Sequence, residues 1–373
     1  MCYKFLNYHI HIFLQEYMKK ITYTSLIRKK LLLWHKNDNG RTMPWKEERN
    51  PYRVWLSEII LQQTRVAQGL DYYNKFIINY PTIEKLAKAE ENSVFKHWEG
   101  LGYYSRCKNL IATARFIAFE LGGKFPTTYE SILQLKGVGP YTAAAIASFA
   151  YDLPHAVVDG NVMRMLARYF GIVKPIDSSE GKNYFNVLAQ SLLHTASPAL
   201  YNQAIMDFGA TICKPKLPLC STCVLKKTCI ALEKNIVESL PVKEKRLVKK
   251  NRFFYYIIAR FDNKFYVRKR IEKDIWQNLW EFILLEQPQK VALDDFLVSS
   301  TFLDVAGKKS ILKYASIFYK QQLTHQTIEG IFIHIELKSP LKNKLYSSVS
   351  KNELKKLAFP RFITNYFEVS GSL

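Results

Sequence analysis

The sequence predicts a mainly helical N-terminal part followed by an α+β C-terminal domain, and three observations carry that expectation. From Ser25 to about Glu233, apolar residues recur at three- and four-residue spacing, the period of helices with one buried face. Leu240 to Asn251, LPVKEKRLVKKN, is basic and proline-marked, as a connector between domains should be. Beyond it the period changes to two: Phe253 to Arg260 and Phe265 to Arg270 read as strands flanking an Asp262-Asn263 turn.

In order, helices are expected near residues 25–36, 54–66, 69–80, 93–98, 105–121, 128–135, 142–150, 161–170, 180–194 and 201–210. Gly, Pro and Asn-Pro punctuate the gaps. Thr327 to Leu337 alternates like a further strand, and helical stretches fall near 292–298 and 351–358. The division that follows is an extension over 1–22, a helical domain over 23–240, a basic linker over 241–251 and a second domain over 252–373. No internal repeat or low-complexity tract interrupts it.

At 373 residues the chain is long enough for two full cores. A formal charge of +22 with 23 Tyr and 23 Phe favours a polyanionic partner. No apolar run is long enough to span a bilayer, so no membrane partner is expected. The first 20 residues are apolar but interrupted by Asn7, His9, His11 and Gln15, with no small-residue cleavage site. That argues against a secretory signal and for an ill-defined leader or a start at Met18. Six Cys, four of them bunched, do not form an oxidised framework of the secreted kind, so a cytoplasmic protein is expected.

Four stretches carry chemistry. Lys136-Gly137-Val138-Gly139-Pro140 reads as a turn feeding a helix of small residues. Gly137 and Gly139 allow a tight turn and close approach, and the helix N-terminus presents N–H groups that suit a phosphate. Val157-Val158-Asp159-Gly160-Asn161 then places a carboxylate in an apolar setting. In the helix from Val54, Glu58 has Val54, Trp55, Leu61 and Gln62 as its neighbours one turn away. A carboxyl there should have a raised pKa, which a general acid needs, since an unshifted Glu is protonated about once in 500 molecules at pH 7. Finally, Cys213, Cys220, Cys223 and Cys229 lie within 17 residues, a spacing that binds metal. Zinc sites usually pair two short knuckles, and the single Cys-x2-Cys gap here leans towards an iron–sulfur cluster.

These residues together resemble the endonuclease III superfamily of helix-hairpin-helix DNA glycosylases. The resemblance covers roughly 25–230 and rests on the cysteine spacing, Leu135-Lys136-Gly137-Val138-Gly139 and Val158-Asp159-Gly160-Asn161. Met43-Pro44-Trp45, Trp55-Leu56-Ser57-Glu58, Leu61-Gln62-Gln63-Thr64, Gly100-Leu101-Gly102-Tyr103-Tyr104, Asn202-Gln203-Ala204 and Met206 to Ala210 are most similar to its adenine-specific branch, which removes adenine mispaired with 8-oxoguanine. The resemblance implies a six-helix part over about 43–153 and a cluster part over 23–42 and 154–230, holding a [4Fe-4S] cluster. The implied partner is double-stranded DNA carrying an adenine:8-oxoguanine or adenine:guanine mispair, bound by a monomer.

The related glycosylase-lyases place a nucleophilic lysine where this chain has Tyr141. A phenol cannot form a Schiff base, which favours a monofunctional enzyme. The resemblance then implies a flipped adenine protonated by Glu58, with ionised Asp159 stabilising the cationic sugar, two carboxyls with opposed pKa shifts. It implies that Tyr141 and Asn161 position those carboxyls and that Arg41, Met43, Trp45 and Gln203 line the adenine pocket. Gln63 and Tyr103 resemble residues inserted into the duplex.

The C-terminal domain is similar to the Nudix-like domain of that branch. Trp280-Glu281-Phe282 resembles its Leu-Trp-Glu-Phe-Pro signature with Ile283 in place of Pro, and Leu323-Thr324-His325 stands where Phe-Ser-His is typical. Thr324 and His325 keep a hydroxyl and an imidazole for the oxidised guanine. No acidic Nudix box is present, so nucleotide hydrolysis is not expected. Two other readings stay in view: a glycosylase-lyase acting on oxidised pyrimidines, and a non-catalytic iron–sulfur DNA-binding protein.

Overall fold

A computed structural model describes residues 24–244 and 249–371. The expected extension over 1–22 lies outside the described residues, as do residues 245–248 of the linker. The helical part runs α1 (24–37), α2 (Pro51–Leu61), α3 (Val66–Asn79), α4 (Ile83–Lys88), α5 (Glu91–Trp98), α6 (Tyr104–Arg115), α7 (Tyr129–Leu133), α8 (Pro140–Tyr151), α9 (Gly160–Phe170), α10 (Ser179–Leu192), α11 (Pro198–Thr211) and α12 (Ile230–Glu233). The chain divides into two compact units, Met1–Gln62 with Lys124–Lys245, and Gln63–Gly123 with Arg246–Leu373.

In the first unit, α2 starts on Asn50, whose side chain accepts the Tyr52 and Arg53 N–H groups, with Pro51 at the first helical position. Tyr52 and the whole run from Val54 to Ile60 are buried, Glu58 among them. The helix expected over 54–66 stops at Leu61, because Gln63 takes a left-handed backbone (φ 55°) and the chain turns before α3. The core joins Ile27, Leu31 and Trp34 of α1 to Val162, Met165, Leu166 and Tyr169 of α9, Phe185 of α10 and Tyr201, Ile205 and Phe208 of α11. Helices α9 and α11 meet closely at Gly209, where a Cβ would sit 2.8 Å from the Asn161 carbonyl oxygen.

The second unit combines α3–α6 with a mixed sheet. The helix expected over 105–121 is regular to Arg115 and widens to a π turn over Phe116–Glu120. The sheet contains β1 (Lys250–Phe261), β2 (Lys264–Lys269), β3 (Trp280–Glu281), β4 (Ile283–Gln287), β5 (Ile311–Ala315), β6 (Tyr319–Gln322), β7 (Gln326–Glu336) and β8 (Ser347–Val349). Its main path is β3-β2-β1-β7-β5, with β1 and β7 parallel and the other pairs antiparallel.

Both faces of the central pair are buried, by alternation along each strand. Tyr255 and Ile257 face the side of Phe296 and Phe302, which belong to α13 (Leu293–Leu297) and α14 (Ser300–Ala306). Helix α15 (Lys351–Leu354) is short, and α16 (Arg361–Ser370) covers the opposite face, where Phe332 stacks on Tyr366 with centroids 4.0 Å apart. The hairpin at Asp262-Asn263 and the strand over 326–336 stand where the sequence places them. Strands β4, β5, β6 and β8, and helices α4, α12 and α16, lie beyond what periodicity revealed; most are too short to show a period.

Candidate active site

Two carboxyls and a phenol converge at the α2–α8–α9 junction. Helix α2 brings Glu58, 7% exposed, from its buried face. Helix α8 brings Tyr141 in its first turn, immediately after Pro140. Asp159 is the N-cap of α9: its Oδ1 accepts the Val162 N–H at 2.7 Å and its Oδ2 accepts the Asn161 amide at 2.7 Å.

The electrostatics follow from burial. Desolvation pushes the Glu58 carboxyl up to about 7; the Tyr141 hydroxyl hydrogen-bonded to it pulls downward, and the charge of Asp159 pushes further up. The Tyr141 phenol is held well above its ordinary value by burial first, then by the two carboxyls, so it stays protonated. Asp159 is also raised by burial, against hydrogen bonds from Val162 and Asn161 that pull it down. The expectation of opposed shifts is therefore corrected: both acids move upward, because both are desolvated, and the hydrogen bonds to Asp159 set them apart. The rise expected for Glu58 is present.

Sequence reasoning missed the support behind Asp159. The Arg164 guanidinium donates to Asn161 Oδ1 at 2.9 Å, to the Gly209 carbonyl at 2.7 Å and to the Cys213 carbonyl at 2.9 Å. Its position three residues after Asn161, on the same helix face, was the only available signal. A second missed residue is Asp207, fully buried, which forms a 2.8 Å ion pair with Arg41, a 3.2 Å pair with Lys46 and accepts the Asn39 amide at 2.8 Å. Asp207 thus sets the direction of Arg41. Gln203 lies one turn earlier on α11, and Met43 and Trp45 are partly buried around the turn that follows Arg41.

The hairpin joins α7 to α8. Thr128 and Ser131 cap α7 reciprocally, Gly137 has φ 79°, and Gly139 is the N-cap of α8 with no capping side chain. Gly139 has nothing within 4 Å of a notional Cβ, so the mouth of this helix N-terminus is open. Cys213, Cys220, Cys223 and Cys229 line one cavity of about 30 Å³ together with Met165, Phe208 and Leu225. Among the described residues, no three His, Cys, Asp or Glu side chains come close enough to hold a single metal ion.

The remaining candidates fall in the second unit. Gln63 is exposed, and Tyr103 is 43% exposed with a left-handed backbone, φ 49°. Gly102 accepts the Trp98 indole N–H at 3.0 Å and Arg106 at 3.4 Å, and Arg106 also reaches Thr64 at 3.4 Å. These bonds tie the Gln63 turn to the Tyr103 turn. Thr324 and His325 form the exposed turn between β6 and β7, and the Thr324 hydroxyl lies 2.5 Å from the Tyr103 hydroxyl. A cavity of about 580 Å³ is lined by Tyr103, Thr324, His325, Gln277 and Arg361. No helix among the described residues is long and apolar enough to cross a membrane.

Residues 56–189 match the HhH-GPD superfamily of base excision DNA repair proteins, and residues 254–369 match the NUDIX domain. The adenine DNA glycosylase of Buchnera aphidicola subsp. Schizaphis graminum (strain Sg) is 36% identical over 253 residues, 68% of this chain and 73% of that protein. That of Buchnera aphidicola subsp. Baizongia pistaciae (strain Bp) is 34% identical over 313 residues, 82% of this chain and 84% of its own. The adenine DNA glycosylase of Homo sapiens is 40% identical over 231 residues, 60% of this chain but 42% of the human protein. The solved structure of a thermostable thymine-DNA glycosylase covers 58% of this chain and 99% of its own, with a TM-score of 0.54 and 30% identity. With the HhH-GPD match and relatives 34–36% identical over two thirds or more of both chains, the chain belongs to the adenine DNA glycosylase family of helix-hairpin-helix base excision repair enzymes.

Proposed function

We propose that the chain hydrolyses the N-glycosidic bond of adenine paired with 8-oxoguanine or guanine in duplex DNA, without cutting the strand. One observation carries the reading: Glu58 and Asp159 share a desolvated site with Tyr141, which stands where a lyase needs an amine. Glu58, with its pKa near 7, protonates the flipped base and makes it a neutral leaving group. The Tyr141 hydroxyl orients that carboxyl, and its raised pKa keeps it a donor. Asp159, held by Val162 and Asn161, faces the cationic sugar that develops as the bond breaks. Arg41, Met43, Trp45 and Gln203 frame the base, and Gly137 and Gly139 accept a phosphate at the open end of α8.

Lesion reading falls to the second unit. Gln63 and Tyr103 are exposed residues in strained left-handed conformations, as wedge residues at functional sites often are. The Thr324 hydroxyl beside Tyr103 and the His325 imidazole supply polar contacts for the oxidised guanine. Four thiols line one cavity, and with their single short Cys-x2-Cys gap we assign Cys213, Cys220, Cys223 and Cys229 to a [4Fe-4S] cluster. When bound, it supplies folding free energy by cross-linking the loop after α11 to α12. The Arg168 guanidinium donates to the Lys214 carbonyl at 2.7 Å and orders the same loop from α9.

The defining experiment is single-turnover excision on duplexes with adenine opposite 8-oxoguanine, guanine or thymine, each split with and without alkali. Strand breaks are expected only after alkali, fastest opposite 8-oxoguanine; breaks without alkali would move the chain to the lyase reading. Glu58→Gln and Asp159→Asn should each abolish excision and keep DNA binding. Thr324→Ala is expected to lower the 8-oxoguanine-to-guanine rate ratio severalfold, and an unchanged ratio would remove Thr324 from lesion reading.

Glu58 also links pH to stability. Its folded pKa lies above the ordinary value, so its contribution is fully present below about 4.5 and is lost as pH rises through about 7. Glu58→Gln should therefore match the parent in acid and be more stable at pH 9, by up to about 3 kcal/mol. Urea titrations at pH 4.5 and pH 9 check this. For the cluster, iron analysis and visible absorption of anaerobically purified chain should show bound iron that Cys220→Ser loses; iron-free parent protein would sink the assignment.

A further inference from the structure

Between α8 and α9 the chain passes through 152–159 without regular structure and ends on Asp159. Its main-chain hydrogen bonds are local: Leu153 N–H reaches the Ala147 carbonyl at 3.0 Å, and His155 N–H reaches the Leu153 carbonyl at 2.8 Å. The rest of its anchoring comes from side chains. Gln190 of α10 donates its amide to the Pro154 carbonyl at 2.8 Å and accepts the Ala156 N–H at 2.9 Å. Asn202 of α11, 1% exposed, donates to the His155 carbonyl at 2.8 Å and accepts the Val157 N–H at 3.0 Å. Its second amide hydrogen goes to Ser148 Oγ of α8 at 2.9 Å.

The pairing has a regular logic. In extended chain, residues i and i+2 present their backbone groups to one side and i+1 and i+3 to the other. Gln190 takes the carbonyl of 154 and the N–H of 156; Asn202 takes the carbonyl of 155 and the N–H of 157. Two primary amides from two helices thus replace the neighbouring strands that a sheet would provide. The His155 ring also stacks on Tyr129 of α7, with centroids 4.4 Å apart and planes 14° from parallel. The second clamped N–H, at Val157, lies two residues before Asp159.

We propose that Gln190 and Asn202 are positioning residues for catalysis: they fix the segment leading to Asp159, so that its carboxylate is aimed before substrate arrives. This rests on the proposed role of Asp159 at the cationic sugar. The α9 N-cap bonds set how the carboxylate is held on its helix, while the two clamps set the direction from which the chain enters it. Preorganisation of this kind is worth most in the transition state and little in ground-state binding.

The test uses the full chain and three duplexes, each opposite 8-oxoguanine: one with adenine, one with a neutral tetrahydrofuran abasic analogue and one with a cationic pyrrolidine analogue. Gln190→Met removes both bonds of an exposed clamp while preserving side-chain length; Gln190→Glu keeps the acceptor for Ala156 and loses the donor to Pro154. Gln190→Met is expected to slow single-turnover excision by about 10- to 100-fold, with Gln190→Glu in between. Binding to the neutral analogue should be unchanged, and the preference for the cationic analogue over the neutral one should fall about tenfold, since only that preference reads the aim of Asp159. Asn202→Asp, which loses its donors to His155 and Ser148 and keeps the acceptor for Val157, should behave as Gln190→Glu. Parent-like excision and preference in both Gln190→Met and Asn202→Asp overturn the inference. So does an equal loss of binding to the two analogues, which marks a merely structural effect. If the parent prefers the cationic duplex yet excises no adenine, the substrate reading fails, and the preference ratio still decides the clamp.

Discussion

The structure depends first on the desolvation of two carboxyls, Glu58 buried and Asp159 partly buried, beside one phenol. Water would hold Glu58 and Asp159 ionised and apart; the desolvated junction of α2, α8 and α9 instead raises both, and Glu58 also feels the charge of Asp159. What distinguishes them is hydrogen bonding. Asp159 caps a helix and accepts two N–H groups, which favours its charged form, whereas Glu58 faces a phenol that never ionises at neutral pH. Two differently held carboxyls thus arise from one environment.

Helix α9 distributes that arrangement through the first unit. Its first turn holds Asp159 and Asn161, its second turn carries Arg164, and Arg168 reaches the loop where the cysteines lie. Because Arg164 donates to both Asn161 and the Cys213 carbonyl, the carboxylate and the cysteine-bearing segment share one rigid support. Gly209 permits α11 to approach α9 at backbone distance, and a side chain there would displace Asn161 first. The buried Asp207, two residues earlier on α11, does similar work for Arg41. Asp207, Arg164 and Arg168 each find hydrogen-bonding or ionic partners, as burial demands.

The second unit handles a different demand, exposed residues held in unusual conformations. Tyr103 and Gln63 sit in left-handed turns tied together through Arg106, and the β6–β7 turn sets the Thr324 hydroxyl against Tyr103. The sheet beneath is buried on both faces, so the turn projects from a rigid base. Family similarity covers both parts of the chain, and exposed turns on a rigid scaffold are where binding surfaces vary most readily.

Much was legible in the residues themselves. Long periodic helices, the hairpin glycines, the cysteine spacing and the apolar surroundings of Glu58 are local facts, and local sequence encodes them. The short strands β4, β5, β6 and β8 were not legible, because three to five residues do not establish a period. Nor was the end of α2, which a left-handed Gln63 decides. The upward shift of Asp159 depends on how the fold desolvates it, and the clamps from Gln190 and Asn202 join residues more than 30 positions apart. Sequence determined which chemical groups this protein owns and the helices that carry them. Only tertiary structure decided their protonation, their partners and their aim, because desolvation and hydrogen-bond direction are properties of what surrounds a side chain, not of its neighbours in the chain.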